Sequence, residues 1–586
     1  RTETAGLWKE KRRLAGVSGF GFGGTNFHTI VENYEAGVPA VPLRVWPSEL
    51  FVFRGDTPED GKALMEKVQA LYGLNNRIDI KDVAYSLACR ETEKPAQFVI
   101  VASNKDELLS RIETALEGAA AENVFPLANL PGKLAFLFSG QGSQRVNMAA
   151  DLFVIFPQMR RLLLKYPEYE KILFPNAVFT NEQKKAQRAA ITDTRNAQPL
   201  LGLVDLAIAE LLRGFGLEPD VVAGHSYGEL PALCFAGAFP AEDLVSLSRA
   251  RAEAILGAVG EDPGRMVAVR ADADTVARLV KGETSVWAVN YNSPKQTVVA
   301  GTSAGIEAFL EKLKKEAVAC EELNVACAFH SPLLKGADKC FSDALSHVPF
   351  HKAGLPVSSN TDAGYYPATG PSVKKRLAEH LVNPVRFTEE IQRLYEDGVR
   401  IFIETGPGGT LTGLAGAILK DRDATLIQTE RRGAEGLTYL LCALAKVLAA
   451  GKTFRVQKLF EGRDVQLLDL DHPESHKKTG LIWTIDGMRA LPENGPLPAH
   501  AGKITDGPIK LAGDQQGRFS GTDADIMMTY LENMNTVIQN QRDVLVSYWG
   551  DSDWIETQTP QMLPLPADEP PAAEDGPTIK TGEEPT

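Results

Sequence analysis

A glycine–serine turn at residues 224–228 constrains this chain more than any other feature. The segment reads GHSYG, a G-x-S-x-G pattern, and it lies between the apolar run 221–223 and the helix-compatible stretch 233–238. A strand, a tight turn and a helix in that order predict an α/β fold that exposes the Ser226 hydroxyl at a helix N-terminus. The same pattern also occurs in ordinary glycine-rich turns. A nucleophilic Ser226 therefore requires a base elsewhere in the chain.

His330 is the histidine best placed to be that base. It follows the apolar run 325–329, which predicts a strand, and precedes 331–332, which predicts a turn. A histidine at the end of a buried strand can face a cleft, and its imidazole titrates near neutrality. The alternative is a core histidine whose ring is satisfied by the backbone. His225 is adjacent to Ser226, so its side chain is expected to point away from the hydroxyl.

Six short motifs follow one another in an order typical of one enzyme family. They are AFLFSGQGSQ at 135–144, QPL at 198–200, GHSYGEL at 224–230, AFHS at 328–331, NPVRF at 383–387 and ETGPG at 404–408. Together they resemble the acyltransferase domains of fatty acid and polyketide synthases. The resemblance implies an α/β acyltransferase fold, with a hydrolase-like core of parallel strands, a ferredoxin-like small subdomain and a separate small α/β linker domain.

The resemblance also implies roles for individual residues. Ser226 would carry the acyl group, and His330 would be its base. The backbone N–H groups of Gln141 and Tyr227 would form the oxyanion hole, since a tetrahedral oxyanion needs two donors. Asn383 would orient His330 through its backbone carbonyl, so no acidic third member is required.

Two further positions would bind the acyl group. Gln198 would line the pocket, and Arg251 matches the arginine that holds the free carboxylate of a malonyl group. A guanidinium offers a carboxylate a planar, permanently charged fork. Arg249 is the competing candidate, and helix spacing places the two arginines on different faces. The alternative for either is a solvated helix charge.

Phe329 bears on the choice of acyl group. The AFHS motif resembles the version found in malonyl-selective members, and a phenylalanine beside the α-carbon would clash with a methyl branch. A methylene-sized difference gives only about 10- to 200-fold discrimination, so a preference for malonyl is expected. Cys327 and Tyr227 depart from the usual pattern. The aromatic residue after the serine looks closer to polyunsaturated fatty acid synthases than to modular polyketide synthases.

The length of 586 residues predicts several domains. The expected order is a ketosynthase C-terminal remnant (1–40), an α/β linker domain (41–130), the acyltransferase (131–432, with the ferredoxin-like subdomain at 263–329), a post-acyltransferase segment and linker (433–520), an amphipathic helix (521–550) and a disordered tether rich in proline and acidic residues (551–586). The remnant lacks the ketosynthase's catalytic part, so condensation is not expected. Its GFGGTN segment has no following P-loop lysine, which argues against nucleotide binding.

The apolar seam of the predicted helix at 523–549 allows two interpretations. Its spacing of three and four residues fits packing against its own protein or pairing with a second copy, so a homodimer is a possible partner state. The tail beyond it would tether the chain to acyl carrier domains.

Composition excludes some classes of function. A net charge of −14 argues against a nucleic-acid partner. Six cysteines without a CxxC pair indicate neither a metal site nor a disulfide framework, and a reducing cytoplasm fits. No apolar run approaches the roughly 18 residues that span a bilayer. A local basic patch at 184–188 or 312–315 could dock an acidic carrier.

The leading prediction is transfer of a malonyl group from coenzyme A to the phosphopantetheine thiol of an acyl carrier protein, through an acyl-serine, beside the ketosynthase of the same synthase. No bound cofactor is expected, because coenzyme A is part of the substrate. One alternative is a serine hydrolase that transfers the acyl group to water. The other is an inactive scaffold that dimerises the synthase.

Overall fold

The computed structural model describes residues 13–20, 26–33, 45–476, 483–485 and 490–492. The predicted helix at 523–549 and the tail at 551–586 lie outside these residues. The chain divides into two units, one of which contains Arg12–Asn33 and Gly480–Thr586. In that unit, the predicted ketosynthase remnant contains two antiparallel strands, β1 (Leu14–Phe20) and β2 (Asn26–Glu32).

The other unit contains Tyr34–Thr479. Its first sheet along the chain is antiparallel and three-stranded, in the order β3-β4-β5. Its elements are β3 (Glu49–Arg54), α1 (Pro58–Leu74), α2 (Ile80–Cys89), β4 (Ala96–Ala102), α3 (Lys105–Leu116) and β5 (Val124–Pro126). Thr57 and Asp60 form a capping box that begins α1. Strand β3 is buried along its whole length, and its four central residues, LFVF, are all apolar.

The next segment begins the larger sheet of this unit. Its elements are β6 (Lys133–Phe138), α4 (Ala150–Ile155), α5 (Pro157–Leu163), α6 (Pro167–Leu173), α7 (Asn181–Thr192), α8 (Thr194–Gly214), β7 (Val221–Gly224), α9 (Glu229–Phe235) and α10 (Leu244–Ala258). Helix α8 is buried over most of its length, because it packs between α10 and the shorter helices α5, α6 and α7. Strands β6 and β7 pair in parallel, so their carboxyl ends lie at one edge of the sheet.

A small antiparallel sheet follows in the chain, with the order β11-β8-β10-β9. Its elements are β8 (Arg265–Val269), α11 (Ala273–Val280), β9 (Val286–Ser293), β10 (Gln296–Gly301), α12 (Ser303–Lys315) and β11 (Cys320–Leu323). The βαββαβ order is the predicted ferredoxin-like one. The prediction of a last strand at 325–329 is wrong, because β11 ends at Leu323 and residues 324–329 form a loop. Strand β11 is a largely exposed edge whose charged residues carry no apolar signal.

The chain then returns to the larger sheet. The remaining elements of this unit are α13 (Ala337–Ser346), α14 (Gly370–Glu379), α15 (Phe387–Glu396), β12 (Val399–Glu404), α16 (Thr410–Ile418), β13 (Thr425–Gln428) and α17 (Gly436–Ala449). The completed sheet has the order β13-β12-β6-β7, and all its neighbours are parallel. This parallel core and the small antiparallel sheet together form the predicted α/β acyltransferase architecture.

The segment after α17 is mostly irregular up to residue 476. Farther on, β14 (Trp483–Ile485) and β15 (Ala490–Pro492) pair as antiparallel strands within a stretch predicted to be an irregular linker. Among the described residues, no helix is long and apolar enough to cross a membrane.

Candidate active site

Ser226 lies in a sharp turn between β7 and α9. Its φ of +52° is in the left-handed region, which a non-glycine residue adopts only when its surroundings enforce it. The flanking glycines make the turn sterically feasible. A Cβ on Gly224 would overlap the backbone of Gly228, and a Cβ on Gly228 would overlap the carbonyl of Phe138 on the neighbouring strand. The motif's glycines therefore let the turn close against β6.

The Ser226 hydroxyl lies next to the His330 ring, with Oγ 2.6 Å from Nε2. On the other side of the ring, Nδ1 is 3.1 Å from the backbone oxygens of both His380 and Asn383. Because both of these partners only accept, Nδ1 carries the hydrogen and Nε2 is left to accept from the serine. Burial, with the nearby charge of Arg251, lowers the pKa of His330 to about 3, so its imidazole is neutral at neutral pH and Nε2 keeps a free lone pair.

Asn360 forms hydrogen bonds with the serine turn, and it was not identified from the sequence. Its side-chain oxygen accepts a 2.7 Å hydrogen bond from the Ser226 N–H, and its Nδ2 donates to the Gly224 carbonyl at 2.8 Å. Nδ2 also donates to the buried carboxyl of Glu390 at 2.6 Å. Asn360 thus ties both ends of the turn together. It lies in a PVSSNT segment that matches none of the six motifs, so only the folded chain reveals it.

A second buried carboxyl, that of Glu229, links the serine turn to the histidine. It accepts hydrogen bonds from the Asn360 N–H and the Tyr366 hydroxyl, and it lies 3.0 Å from Nδ1 of His380. Burial raises the pKa of Glu229 to about 7 and lowers that of His380 well below its usual value. Since the His380 carbonyl contacts His330, this polar cluster supports both members of the Ser–His pair.

Gln141 follows β6, directly beside the serine turn. A Cβ on the preceding Gly140 would overlap the backbone oxygen of His225, which shows how closely the two loops approach. The Gln141 side chain donates to Thr194 at 3.2 Å and accepts from Gln198 at 3.1 Å. Gln198 is fully buried, and its own oxygen has no hydrogen-bond partner among the described residues. Both glutamines line the cavity above Ser226.

This cavity has a volume of about 770 Å³ and contains Ser226, His330 and Arg251 in its wall. Arg251 is only 3% exposed, whereas the Arg249 side chain is 61% exposed and paired with Glu253. The structure thus places Arg251, not Arg249, on the cavity. Burial lowers the pKa of Arg251 to about 10, which leaves it cationic at neutral pH.

Arg251 forms no hydrogen bond or ion pair within the parts of the chain that the structure describes. Its guanidinium carbon lies 5.8 Å from the centre of the Tyr227 ring, and the buried carboxyl of Glu229 interacts with it without forming an ion pair. A buried cation without a partner is costly, because its lost hydration is not replaced. An anionic ligand in the cavity would supply the missing acceptor.

The opposite wall of the cavity comes from the small antiparallel sheet and the loop that leaves it. This wall consists of Met266, Asn290, Asn292, Gln296, Val298, Leu323 and the loop residues Asn324, Val325, Ala326 and Phe329. His225 also lines the cavity, and its Nε2 contacts Asn292 at 2.8 Å. The predicted site residues thus fall in one place, with Tyr227 buried beneath Ser226 and Asn383 behind His330.

The comparisons with known proteins agree with this arrangement. The model of the acyl transferase domain family matches residues 135–452. The malonyl CoA-acyl carrier protein transacylase of Bacillus subtilis is 36% identical over 288 residues, which cover 48% of this chain and 89% of that protein. The polyketide synthase Pks15/1 of phenolphthiocerol synthesis in Mycobacterium marinum is 29% identical over 502 residues, 83% of this chain.

A solved structure gives the same fold. The acyl transferase domain of ZmaA superposes with a TM-score of 0.63 at 22% identity, over 72% of this chain and 99% of that domain. The chain spans only 23% of the length of Pks15/1. The family match includes both the serine turn and His330. The chain therefore belongs to the acyl transferase domain family.

Proposed function

We propose that this chain transfers a malonyl group from coenzyme A to the phosphopantetheine thiol of an acyl carrier protein. One observation carries the proposal: the cavity that holds the Ser226–His330 pair also holds a buried arginine that forms no hydrogen bond or ion pair with the described residues. The pair supports acyl transfer through an ester, and the arginine supports an acyl group with a free carboxylate.

In the first half-reaction, His330 Nε2 takes the proton of Ser226 as Oγ attacks the thioester carbonyl. The tetrahedral oxyanion receives hydrogen bonds from the backbone N–H groups of Gln141 and Tyr227. The carbon–sulfur bond then breaks, and His330 returns the proton to the departing coenzyme A sulfur. The product is a malonyl ester of Ser226.

The second half-reaction runs the same steps with a new thiol. His330 takes the proton of the carrier's phosphopantetheine thiol, and the sulfur attacks the serine ester. When the intermediate collapses, Ser226 Oγ leaves and takes the proton back from His330. One site therefore serves donor and acceptor in turn, which predicts ping-pong kinetics.

The carboxylate of the malonyl group would pair with Arg251 while Gln198 contacts it from α8. The unpartnered oxygen of Gln198 supports this assignment: if the amides of Gln198 and Gln141 both turn over, Gln141 donates to Gln198 and accepts from the Thr194 hydroxyl, and the Gln198 NH₂ group becomes a free donor. Phe329 would lie near the α-carbon and disfavour a methyl branch. These contacts favour malonyl over acetyl and over methylmalonyl groups.

The partners follow from the relatives. The relatives that carry this domain include polyketide synthases far longer than this chain, so we place the acyltransferase inside such a synthase, next to a ketosynthase and an acyl carrier domain. A cytoplasmic location and a homodimer through the helix at 523–549 are part of the same proposal.

The test is incubation with labelled malonyl-CoA, with and without a phosphopantetheinylated carrier. We expect one malonyl group on Ser226 by intact mass and peptide mapping, followed by its transfer to the carrier. Ser226→Ala should lower acylation at least about 1000-fold, because the nucleophile is lost. Ser246→Ala, an exposed serine on α10, is the control and should be acylated normally.

Two results would contradict the proposal in different ways. Rapid release of free malonate without transfer to the carrier would identify a hydrolase instead. A chain that never gains a malonyl group would identify a scaffold without catalytic activity.

A further inference from the structure

Helix α7 presents two basic residues to the active-site cavity. Lys185, Arg188, Ala189 and Thr192 line the wall, and their spacing of three and four residues places them on one face of the helix. Lys185 and Arg188 are exposed to solvent, unlike the buried Arg251. The cavity thus has a buried cation at its inner end, near Ser226, and two exposed cations at its outer side.

These two outer charges are not neutralised by the protein. Neither Lys185 nor Arg188 forms an ion pair with any of the described residues. The carboxylate of Asp193, which also lines the cavity, is engaged by the N–H and the guanidinium of Arg195 at 2.9 and 3.5 Å. The mouth of the cavity therefore carries a local positive charge on a chain with a net charge of −14.

We propose that Lys185 and Arg188 bind the phosphate of the phosphopantetheine arm. This inference rests on the proposed function, in which two substrates use one cavity in turn. Coenzyme A and a phosphopantetheinylated carrier share little except the phosphopantetheine arm. This arm bears a thiol at one end and a phosphate at the other. With the sulfur at Ser226, the phosphate end must leave through the mouth of the cavity.

The chemistry of the two side chains fits this ligand. Arginine binds phosphate through paired N–H donors, and lysine adds a compact positive charge. An overall acidic protein repels both coenzyme A and acidic carriers at long range, so a local cationic site is needed where the arm enters. A single site would also hold the arm in the same register in both half-reactions.

The experiment compares the double variant Lys185→Ala/Arg188→Ala with the parent chain on three donors. These are malonyl-CoA, malonyl-phosphopantetheine and malonyl-pantetheine, of which only the last lacks phosphate. For the two phosphorylated donors, we expect kcat/KM of acylation to fall at least about tenfold at low ionic strength, mainly through KM. Malonyl-pantetheine should react within about twofold of the parent rate, and added salt should reduce the difference.

Lys184→Ala is the matched control. Lys184 is equally exposed on the same helix but is absent from the cavity wall, so its replacement should leave all three donors unchanged. In the second half-reaction, transfer from malonyl-Ser226 to a phosphopantetheinylated carrier should also slow in the double variant.

Several results would overturn the assignment. An equal loss with malonyl-pantetheine would show that α7 supports the fold rather than the phosphate. A loss with malonyl-CoA alone would assign the two residues to the nucleotide part of coenzyme A, and a loss equalled by Lys184→Ala would indicate non-specific attraction. Unchanged rates with all donors would show that the residues bind nothing.

A binding measurement separates this inference from the proposed function. Calorimetric titration of the chain with coenzyme A and with pantetheine needs no chemistry at Ser226. If the chain is never acylated, yet binds coenzyme A more tightly than pantetheine and loses that difference in the double variant, the phosphate site stands while malonyl transfer fails. In the reverse outcome, the chain transfers malonyl but binds coenzyme A no more tightly than pantetheine. That result supports the proposed function and refutes the phosphate site.

Discussion

The parallel sheet and the small antiparallel sheet contribute to the same cavity in different ways. Around the parallel sheet, the groups come from loops and helices beyond the strand ends, such as Gln141 after β6 and Ser226 after β7. The small sheet contributes side chains from the strands themselves, such as Met266 and Val298. All six of its strand residues on the cavity wall are uncharged, namely Met266, Asn290, Asn292, Gln296, Val298 and Leu323.

Every titratable side chain on the cavity wall among the described residues lies outside the small sheet. They are Lys185, Arg188, Asp193, His225, Arg251 and His330. The difference separates two tasks. On one side of this division are charge, proton transfer and the strained turn, with His330 on the loop that leaves β11; on the other, the strands of the small sheet and Phe329 set the shape of the space next to them. Replacements on the first side should change rates strongly, and those on the second should mainly change the preference among acyl groups.

Apart from loss of the nucleophile itself, the largest effect is expected at Arg251. Arg251→Ala should lower acylation by malonyl-CoA about 100-fold, because the carboxylate then loses a buried, charged hydrogen-bonding partner. Acylation by acetyl-CoA, which has no carboxylate, should change only a few-fold. Arg249→Ala is the control, since this exposed arginine lies on the same helix and pairs with Glu253. Equal losses for both acyl groups would refute the carboxylate role and measure a structural effect instead.

A smaller and unselective effect is expected at Asn360. Asn360→Ala leaves the Ser226 N–H and the Gly224 carbonyl without their partners, so the strained turn should lose its geometry. We expect kcat to fall about tenfold for malonyl and acetyl donors alike, with little change in KM. Asn383→Ala is the comparison, because its backbone carbonyl still contacts His330. A loss that tracks only a lower melting temperature would assign Asn360 to stability.

The smallest effect is expected on the side of the small sheet. Phe329→Ala, in the loop after β11, should raise the rate with methylmalonyl-CoA relative to malonyl-CoA by up to about tenfold, because space opens near the α-carbon. Met266→Ala, on β8, should shift the same ratio less. Competition between methylmalonyl-CoA and malonyl-CoA, followed by the intact mass of the acylated chain, measures this ratio. A general loss of activity in either variant would erase the proposed distinction between the two sides.

Much of this arrangement can be predicted from the sequence, because local signals agree with the fold. The strands β3, β4, β8, β9 and β10 are apolar runs, and their helices start at clear caps such as Thr57 and Asn104. The glycines around Ser226 predict the turn, since no other residue fits there. The order of six motifs predicts the acyltransferase fold, which the family match confirms.

The errors have physical causes. The run at 325–329 is apolar because it forms the loop beside the cavity, with Cys327 and Ala328 buried, and not because it pairs as a strand. The true strand, β11, is a mostly exposed edge with two glutamates. Asn360 and His380 act through contacts with distant segments, so their importance depends on the folded chain rather than on any local pattern.

The two carbonyl partners of His330 affect which nucleophile, a thiol or water, accepts the acyl group. Carbonyl oxygens orient a neutral imidazole ring, but they stabilise an imidazolium less than a carboxylate does. Burial disfavours the positive charge of the imidazolium further. A base that resists protonation still suffices for a thiol, whose pKa is about 8.5. Water, with a pKa of about 15.7, and a serine hydroxyl hold their protons far more tightly, so either can be deprotonated only in concert with attack on a carbonyl. Under the proposed function, we therefore expect a thiol to cleave the ester on Ser226 faster than solvent water does.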